Sequence, residues 1–183
     1  FDSEKYFFNK VISSSKTILD VGSACGGMYS IISKIEPNIT YTGVDISSKL
    51  IDIANKIYPE INFSVIDGVA LPFDNETFDS VISFGTTVHE SNWQNLIKES
   101  FRVCKNKFLF DIRFTEKDTV NNLEKGYVSD GSEVNYPYVV INFKEFLCFL
   151  NSIENLCKIS IYGYFGQANN ETNLPIGYER IVM

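Results

Sequence analysis

The stretch TILDVGSACGG, residues 17–27, decides how this chain reads. Thr17 to Val21 is a short apolar run that stops at a glycine, the pattern of a buried strand. Gly22 to Gly27 is a tight turn of small residues, and Met28 to Ile35 then has the apolar spacing of a helix, closed by Pro37 and Asn38. Strand, glycine-rich turn and helix in that order let the backbone come close to a ligand, because positive φ costs little at glycine.

The segments on either side extend the pattern. Residues 4–14 have helical apolar spacing. Tyr41 to Val44 is a second strand that ends at Asp45, and Ser47 or Ser48 caps a helix that stops before Pro59. Asn62 to Ile66 and Phe78 to Phe84 are a third and a fourth strand, Trp93 to Cys104 a helix and Lys107 to Ile112 a fifth strand. Residues 114–141 are polar and tyrosine-bearing and match no single period. Phe143 to Ile153 reads as a last helix, followed by strands Ile159 to Phe165 and Tyr178 to Met183. The polar stretch between those two strands is too short for a helical crossover, so they pair antiparallel. Near-continuous apolar strands alternating with helices predict an α/β fold. The expectation is a Rossmann-like, doubly wound sheet of seven strands. It is mostly parallel, with an antiparallel strand near one edge and helices on both faces. No internal repeat or linker splits residues 1–183, so a single domain is expected.

Composition narrows the function. The chain has 183 residues, 44% hydrophobic and 21% charged, which suits a folded domain and not a disordered one. Its 16 basic and 23 acidic residues give a net charge of −7, with no local Lys/Arg cluster. That balance argues against nucleic acid as a partner, because phosphate contacts need clustered cations. No apolar run is long enough to span a membrane, and the start shows no secretory pattern. The chain opens on Phe1 rather than Met, so further residues are expected upstream. Cys25, Cys104, Cys148 and Cys157 form no Cys-x-x-Cys pair, and His89 is the one histidine, so no metal is expected. Buried, reduced thiols in a cytoplasmic protein are the expectation. Nothing in the sequence sets an oligomeric state.

The ligand follows from which charges surround the turn. Asp45 ends the second strand 19 residues after Gly26, the spacing of a carboxylate that grips ribose hydroxyls. The turn reads Gly22-x-Ala24-x-Gly26-Gly27 behind Asp20, without the Lys-Ser or Lys-Thr of a phosphate-binding loop. An acid at the turn entrance suits a cationic amino group better than a pyrophosphate. A ligand with an adenosine and an ammonium but no phosphate fits, and S-adenosylmethionine is such a ligand.

The sequence resembles a class I S-adenosylmethionine-dependent methyltransferase of the small-molecule, type 11-like branch over nearly its whole length. ILDVGSACGG resembles the family's first motif and YTGVDIS its second strand with the ribose-binding acid. NFSVIDGVALPFDNETFDSVISF resembles the third and fourth strands with the acidic loop between them, and LIKESFRVCKNKFLFDIRF the helix and fifth strand. Two departures are Ala24, where glycine is commoner, and Lys105-Asn106-Lys107, where Pro-Gly-Gly is frequent. The resemblance implies that Asp20 and the backbone of Gly22, Ser23, Ala24 and Gly26 hold the methionyl amino group. It implies that Asp45 accepts from the ribose hydroxyls, that Ile46 packs on the adenine, and that Asp67, Gly68 and Val69 meet the adenine edge. Phe84 and Gly85 supply backbone to the methionyl end, and Tyr6 on the leading helix closes over the cofactor. Asp79 reads as structural.

The implied reaction transfers a methyl group to an O or N atom of a small molecule and leaves S-adenosylhomocysteine. His89 follows the fourth strand on the acceptor side and is the candidate base, an imidazole being the side chain that ordinarily titrates nearest pH 7. Glu90 competes for that role. Residues 114–141, with Tyr127, Tyr136 and Tyr138, are the expected acceptor lid. After the fourth strand the chain reads Ser83-Phe84-Gly85-Thr86, without the Asn-Pro-Pro-aromatic signature of nucleobase amine methylation. The alternatives are a protein or RNA methyltransferase and a non-catalytic S-adenosylmethionine-binding subunit.

Overall fold

The computed structural model describes residues 8–127, 133–168 and 175–182. Helix α1 covers 8–12 of these, followed by β1 (Thr17–Val21), α2 (Gly27–Ile35), β2 (Thr40–Asp45), α3 (Ser48–Ile57), β3 (Asn62–Val65) and β4 (Phe78–Ser83). A single 3-10 turn (Thr87–His89) leads into α4 (Trp93–Val103), β5 (Cys104–Phe110), β6 (Phe114–Thr115), β7 (Val120–Tyr127), β8 (Glu133–Asn142), α5 (Phe143–Leu150), β9 (Tyr162–Ala168) and β10 (Pro175–Val182).

Five strands make one parallel sheet in the order β3-β2-β1-β4-β5. The strand order reverses beside β1, so a crevice opens at the carboxyl ends of β1 and its neighbours. Burial on both faces explains why β1 carries Ile18, Leu19 and Val21, with Asp20 as its one buried carboxylate. Ile18 packs with Ile12, Ile32, Tyr41 and Ile82 on one face, while Leu19 and Val21 pack with Val44, Val81, Leu96 and Val103 on the other. The Asp79 carboxylate accepts from Lys16 N (2.8 Å) and Thr17 N (3.1 Å), so it fastens the start of β1 to β4 in the structural role its sequence suggests. Arg102 closes the 71–77 loop by donating to the Leu71 and Phe73 carbonyls and to Glu99.

The sheet holds five strands among the described residues, where seven were expected. The closing strands β9 and β10 do pair antiparallel, but with each other in a separate two-stranded sheet. Residues 114–141 are not structureless. Strands β7 and β8 form an antiparallel hairpin, and β6 pairs with β8 in parallel. Val139 and Ile141 of β8 are buried against Trp93, Ile97, Phe146 and Leu150, so a third core ties the hairpin to α4 and α5. The four cysteines are unpaired, as expected, yet Cys25, Cys148 and Cys157 are exposed and only Cys104 is half-buried.

Candidate cofactor and acceptor site

The glycine-rich turn owes its shape to backbone conformation and close packing. Gly22 and Gly26 both have φ of +83°, and Ala24 has φ of 47°. A side chain at Gly22 would place its Cβ 2.0 Å from Thr86 Oγ1, so the turn is packed directly on the loop after β4. Val44 O accepts from Gly22 N (2.8 Å) and Ser23 N (3.0 Å), which holds the turn to the end of β2.

Asp45 completes this anchoring. One carboxylate oxygen accepts from Ala24 N (2.9 Å), and the other accepts from Ser47 N (2.8 Å) at the cap of α3. A carboxylate has about four lone-pair sites, so two remain for a ligand's hydroxyls. Ile46 beside it is 71% exposed, an apolar side chain standing free at the strand end.

Asp20 lies below the turn, 1% exposed, and accepts a hydrogen bond from the Tyr41 hydroxyl. Burial pushes its carboxyl up to about 7; the Tyr41 bond opposes that rise, and the neighbouring Asp45 charge adds to it. Burial and the adjacent Asp20 likewise push the Tyr41 hydroxyl up, so it stays a donor. No cation lies within ion-pair distance of Asp20 among the described residues.

Asp67 and Gly68 are exposed at the end of the β3 segment, Gly68 with φ of +75°, and Val69 is half-buried. Phe84 is half-buried against Phe8, and Gly85, with φ of +70°, faces open space where a Cβ would stand. Tyr6 lies outside the described residues. The structure therefore brings Asp20, the 22–26 turn, Asp45 and Gly85 to neighbouring strand ends.

His89 is exposed. Its Nδ1 bonds the Pro137 carbonyl of β8 (3.0 Å), and its ring meets Tyr136 edge-on at 5.1 Å. A carbonyl can only accept, so Nδ1 carries the proton and a neutral ring leaves Nε2 as an acceptor. The Glu90 carboxylate accepts from Asn92 N (2.6 Å), just before α4.

Four further residues belong to this end of the molecule. Tyr41 and Thr86 support Asp20 and Gly22 as described above; no local pattern marks them, because both contacts join residues far apart in sequence. Asp111, just past β5, accepts from Gly85 N (2.7 Å) and ties the ends of β4 and β5 together. An acid at a strand end is the signal that marked Asp45, and it applied equally here. Arg113 donates to the Tyr138 hydroxyl of β8 and has its Cζ 5.1 Å from that ring's centre. Among the described residues no cluster of three or more His, Cys, Asp or Glu is placed to hold a metal.

Residues 18–107 match the family described as a methyltransferase domain. Over this segment the chain resembles a methyltransferase domain. The chain is 32% identical over 91 residues to a demethylmenaquinone methyltransferase of Thermotoga maritima, a match covering 49% of this chain and 39% of that one. It is 40% identical over 81 residues to a tRNA (carboxymethyluridine(34)-5-O)-methyltransferase of Saccharomyces cerevisiae, covering 44% of this chain and 27% of that one. Both matches thus span well under two thirds of the relative's length. A solved S-adenosylmethionine-dependent methyltransferase of Methanosarcina mazei has the same fold, with a TM-score of 0.67 at 16% identity, covering 93% of this chain and 92% of that one. A buried carboxylate lies under the turn, a second carboxylate with spare acceptor sites stands at the next strand end, and neither has a Lys or Arg partner among the described residues.

Proposed function

We propose that this chain binds S-adenosylmethionine at the carboxyl ends of β1 and β2 and methylates an O or N atom of a small molecule. The observation that carries the reading is the carboxylate pair around the turn. Asp20 is buried without a cation, and Asp45 braces the turn while keeping acceptor sites free. Asp20 and the 22–26 backbone hold the ammonium end, and Asp45 takes the ribose hydroxyls. Ile46, Asp67, Gly68 and Val69 border the adenine, and Phe84 and Gly85 border the methionyl end. Bound there, S-adenosylmethionine supplies a sulfonium-activated methyl group and leaves as S-adenosylhomocysteine. The protein's task is then mostly alignment. His89 takes the acceptor's proton at Nε2, with its ring oriented by Pro137 and Tyr136.

The β7–β8 hairpin forms the acceptor wall of a single domain, in the place of the lid expected from residues 114–141. The unpaired thiols suit a reducing, cytoplasmic setting. Among the described residues no helix is long and apolar enough to cross a membrane. An RNA acceptor is the second reading, favoured by the likeness to the yeast tRNA enzyme and opposed by a net charge of −7. Calorimetry with S-adenosylhomocysteine and NAD tests the cofactor reading. Tight S-adenosylhomocysteine binding without NAD binding is expected, and the reverse overturns it.

A further inference from the structure

The loops that leave β4 and β5 both end against one strand of the hairpin. His89, after β4, bonds Pro137 of β8, and β6, after β5, pairs with β8. The Arg113 carbonyl accepts from Ile141 N (2.9 Å), which fixes the backbone that carries the guanidinium. Val139 and Ile141 turn into the core, so Tyr136 and Tyr138 stand on the opposite face of β8. His89 packs on the first of these tyrosines and Arg113 on the second.

Arg113 differs from Arg102. The guanidinium of Arg102 is taken up by Glu99 and by loop carbonyls. Arg113 is exposed, and the one hydrogen bond its guanidinium makes among the described residues goes to a neutral hydroxyl. No carboxylate lies within ion-pair distance of it among those residues. A guanidinium has five N–H donors in a planar fork that matches a carboxylate with two parallel bonds. Pinned on Tyr138, it has lost side-chain freedom in advance, so little more is lost when an anion binds. Charge is also divided along the middle of this face. Glu124 is paired with Tyr136 across the hairpin and Asn122 with Tyr138, so negative charge sits at the His89 end and positive charge at the Arg113 end.

Resting on the methyltransferase reading, we infer that the acceptor is a small planar carboxylate. Its anionic group is held by Arg113, and its hydroxyl or amine is presented at His89 Nε2. Tyr136 and Tyr138 are two residues apart on one strand, about 7 Å. That is roughly the length of one benzene ring with its two para substituents, so a single-ring acceptor spans the two groups. A carboxylate in the opposite orientation would meet Glu124 and be repelled.

The test uses protein saturated with S-adenosylhomocysteine and two probes, 4-hydroxybenzoate and 4-hydroxybenzamide, read by calorimetry and ligand-observed NMR. The expected result is at least tenfold tighter binding of the carboxylate. Arg113→Gln should bring the two probes level and Arg113→Lys should keep part of the preference, both with unchanged S-adenosylhomocysteine affinity, which also reports that the variants are folded. Equal binding of the two probes by the unaltered chain, binding of neither, or a preference that survives Arg113→Gln overturns the inference and leaves the cofactor reading standing. Failure to bind S-adenosylhomocysteine at all overturns the methyltransferase reading, and the inference with it.

Discussion

Replacing Asp20 by Asn should stabilise the ligand-free protein and weaken its hold on the cofactor. Asp20 is 1% exposed, and its carboxyl is pushed from an ordinary 3.8 up to about 7. Between those values the folded chain keeps a proton that the unfolded chain has released. Stability from this group is therefore greatest below about pH 4 and falls as pH rises toward 7, beyond which the full penalty is present. At about 1.36 kcal/mol per pH unit, the interval from 3.8 to about 7 corresponds to roughly 4 kcal/mol. Asparagine is similar in shape, its oxygen can still accept from Tyr41, and it does not ionise. The stability difference between Asp20→Asn and the unaltered chain should thus be small at pH 4.5 and grow to a few kcal/mol at pH 8. Other titrating groups, such as Asp79 and Glu99, whose carboxyls are held low by backbone N–H donors and by Arg102, are common to both proteins and cancel. Urea unfolding without cofactor at four pH values between 4.5 and 8 gives the two profiles. Parallel profiles would refute the reasoning, because they would mean that Asp20 is already ionised and satisfied in the folded chain. Calorimetry on the same proteins should show S-adenosylhomocysteine binding weakened by about 1.5–3 kcal/mol in the variant, the scale of a hydrogen bond to a charged group.

Three further outcomes follow from the site. Asp45→Ala should weaken S-adenosylhomocysteine binding by about 1.5–3 kcal/mol and also lower stability, since Ala24 N and Ser47 N lose their acceptor; Asp45→Asn keeps one acceptor oxygen and should fall between, with calorimetry and urea unfolding as readouts. Gly22→Ala should cost at least about 1–3 kcal/mol, because φ is +83° and the new Cβ would meet Thr86; Thr86→Ala should restore only part of the loss in thermal unfolding, since the backbone strain stays. His89→Ala and His89→Asn should both lower turnover by about 10²–10⁴-fold with cofactor affinity unchanged. Asparagine can still donate to Pro137, so full activity in His89→Asn would show that the tether and not the base matters.

The parallel frame was legible because its strands are covered on both faces. β1, β2 and β4 are buried at successive positions, β1 stops before Gly22 and β2 ends at Asp45, and these signals are local. The hairpin was not legible. β8 is buried on one face at Val139 and Ile141 and carries Tyr136 and Tyr138 on the other, and Pro137 between them argues against a strand. Pro137 is accommodated because its carbonyl, and not the N–H it lacks, is what this strand offers to His89. The bounds of the closing strands shifted because residues 166–168 extend β9 through a stretch that reads as a polar connection.

The two halves of the site differ in the same way. The proposed cofactor half is built from a turn and two adjacent strand ends, so Asp20, Gly22, Gly26 and Asp45 fall within 26 residues and form a readable motif. The proposed acceptor half joins His89 to Pro137 across 48 residues and Arg113 to Tyr138 across 25, through contacts that no spacing rule specifies. This separation has a chemical consequence. Substitutions on β8 or at 111–113 can reshape the acceptor face without touching the Asp20–Tyr41 pair or the Asp45 bonds that hold the turn. One cofactor frame can therefore serve relatives named for acceptors as different as a quinone precursor and a tRNA uridine. The group that decides the acceptor in this chain should accordingly be sought where Arg113 and His89 meet β8, and not in the glycine-rich turn.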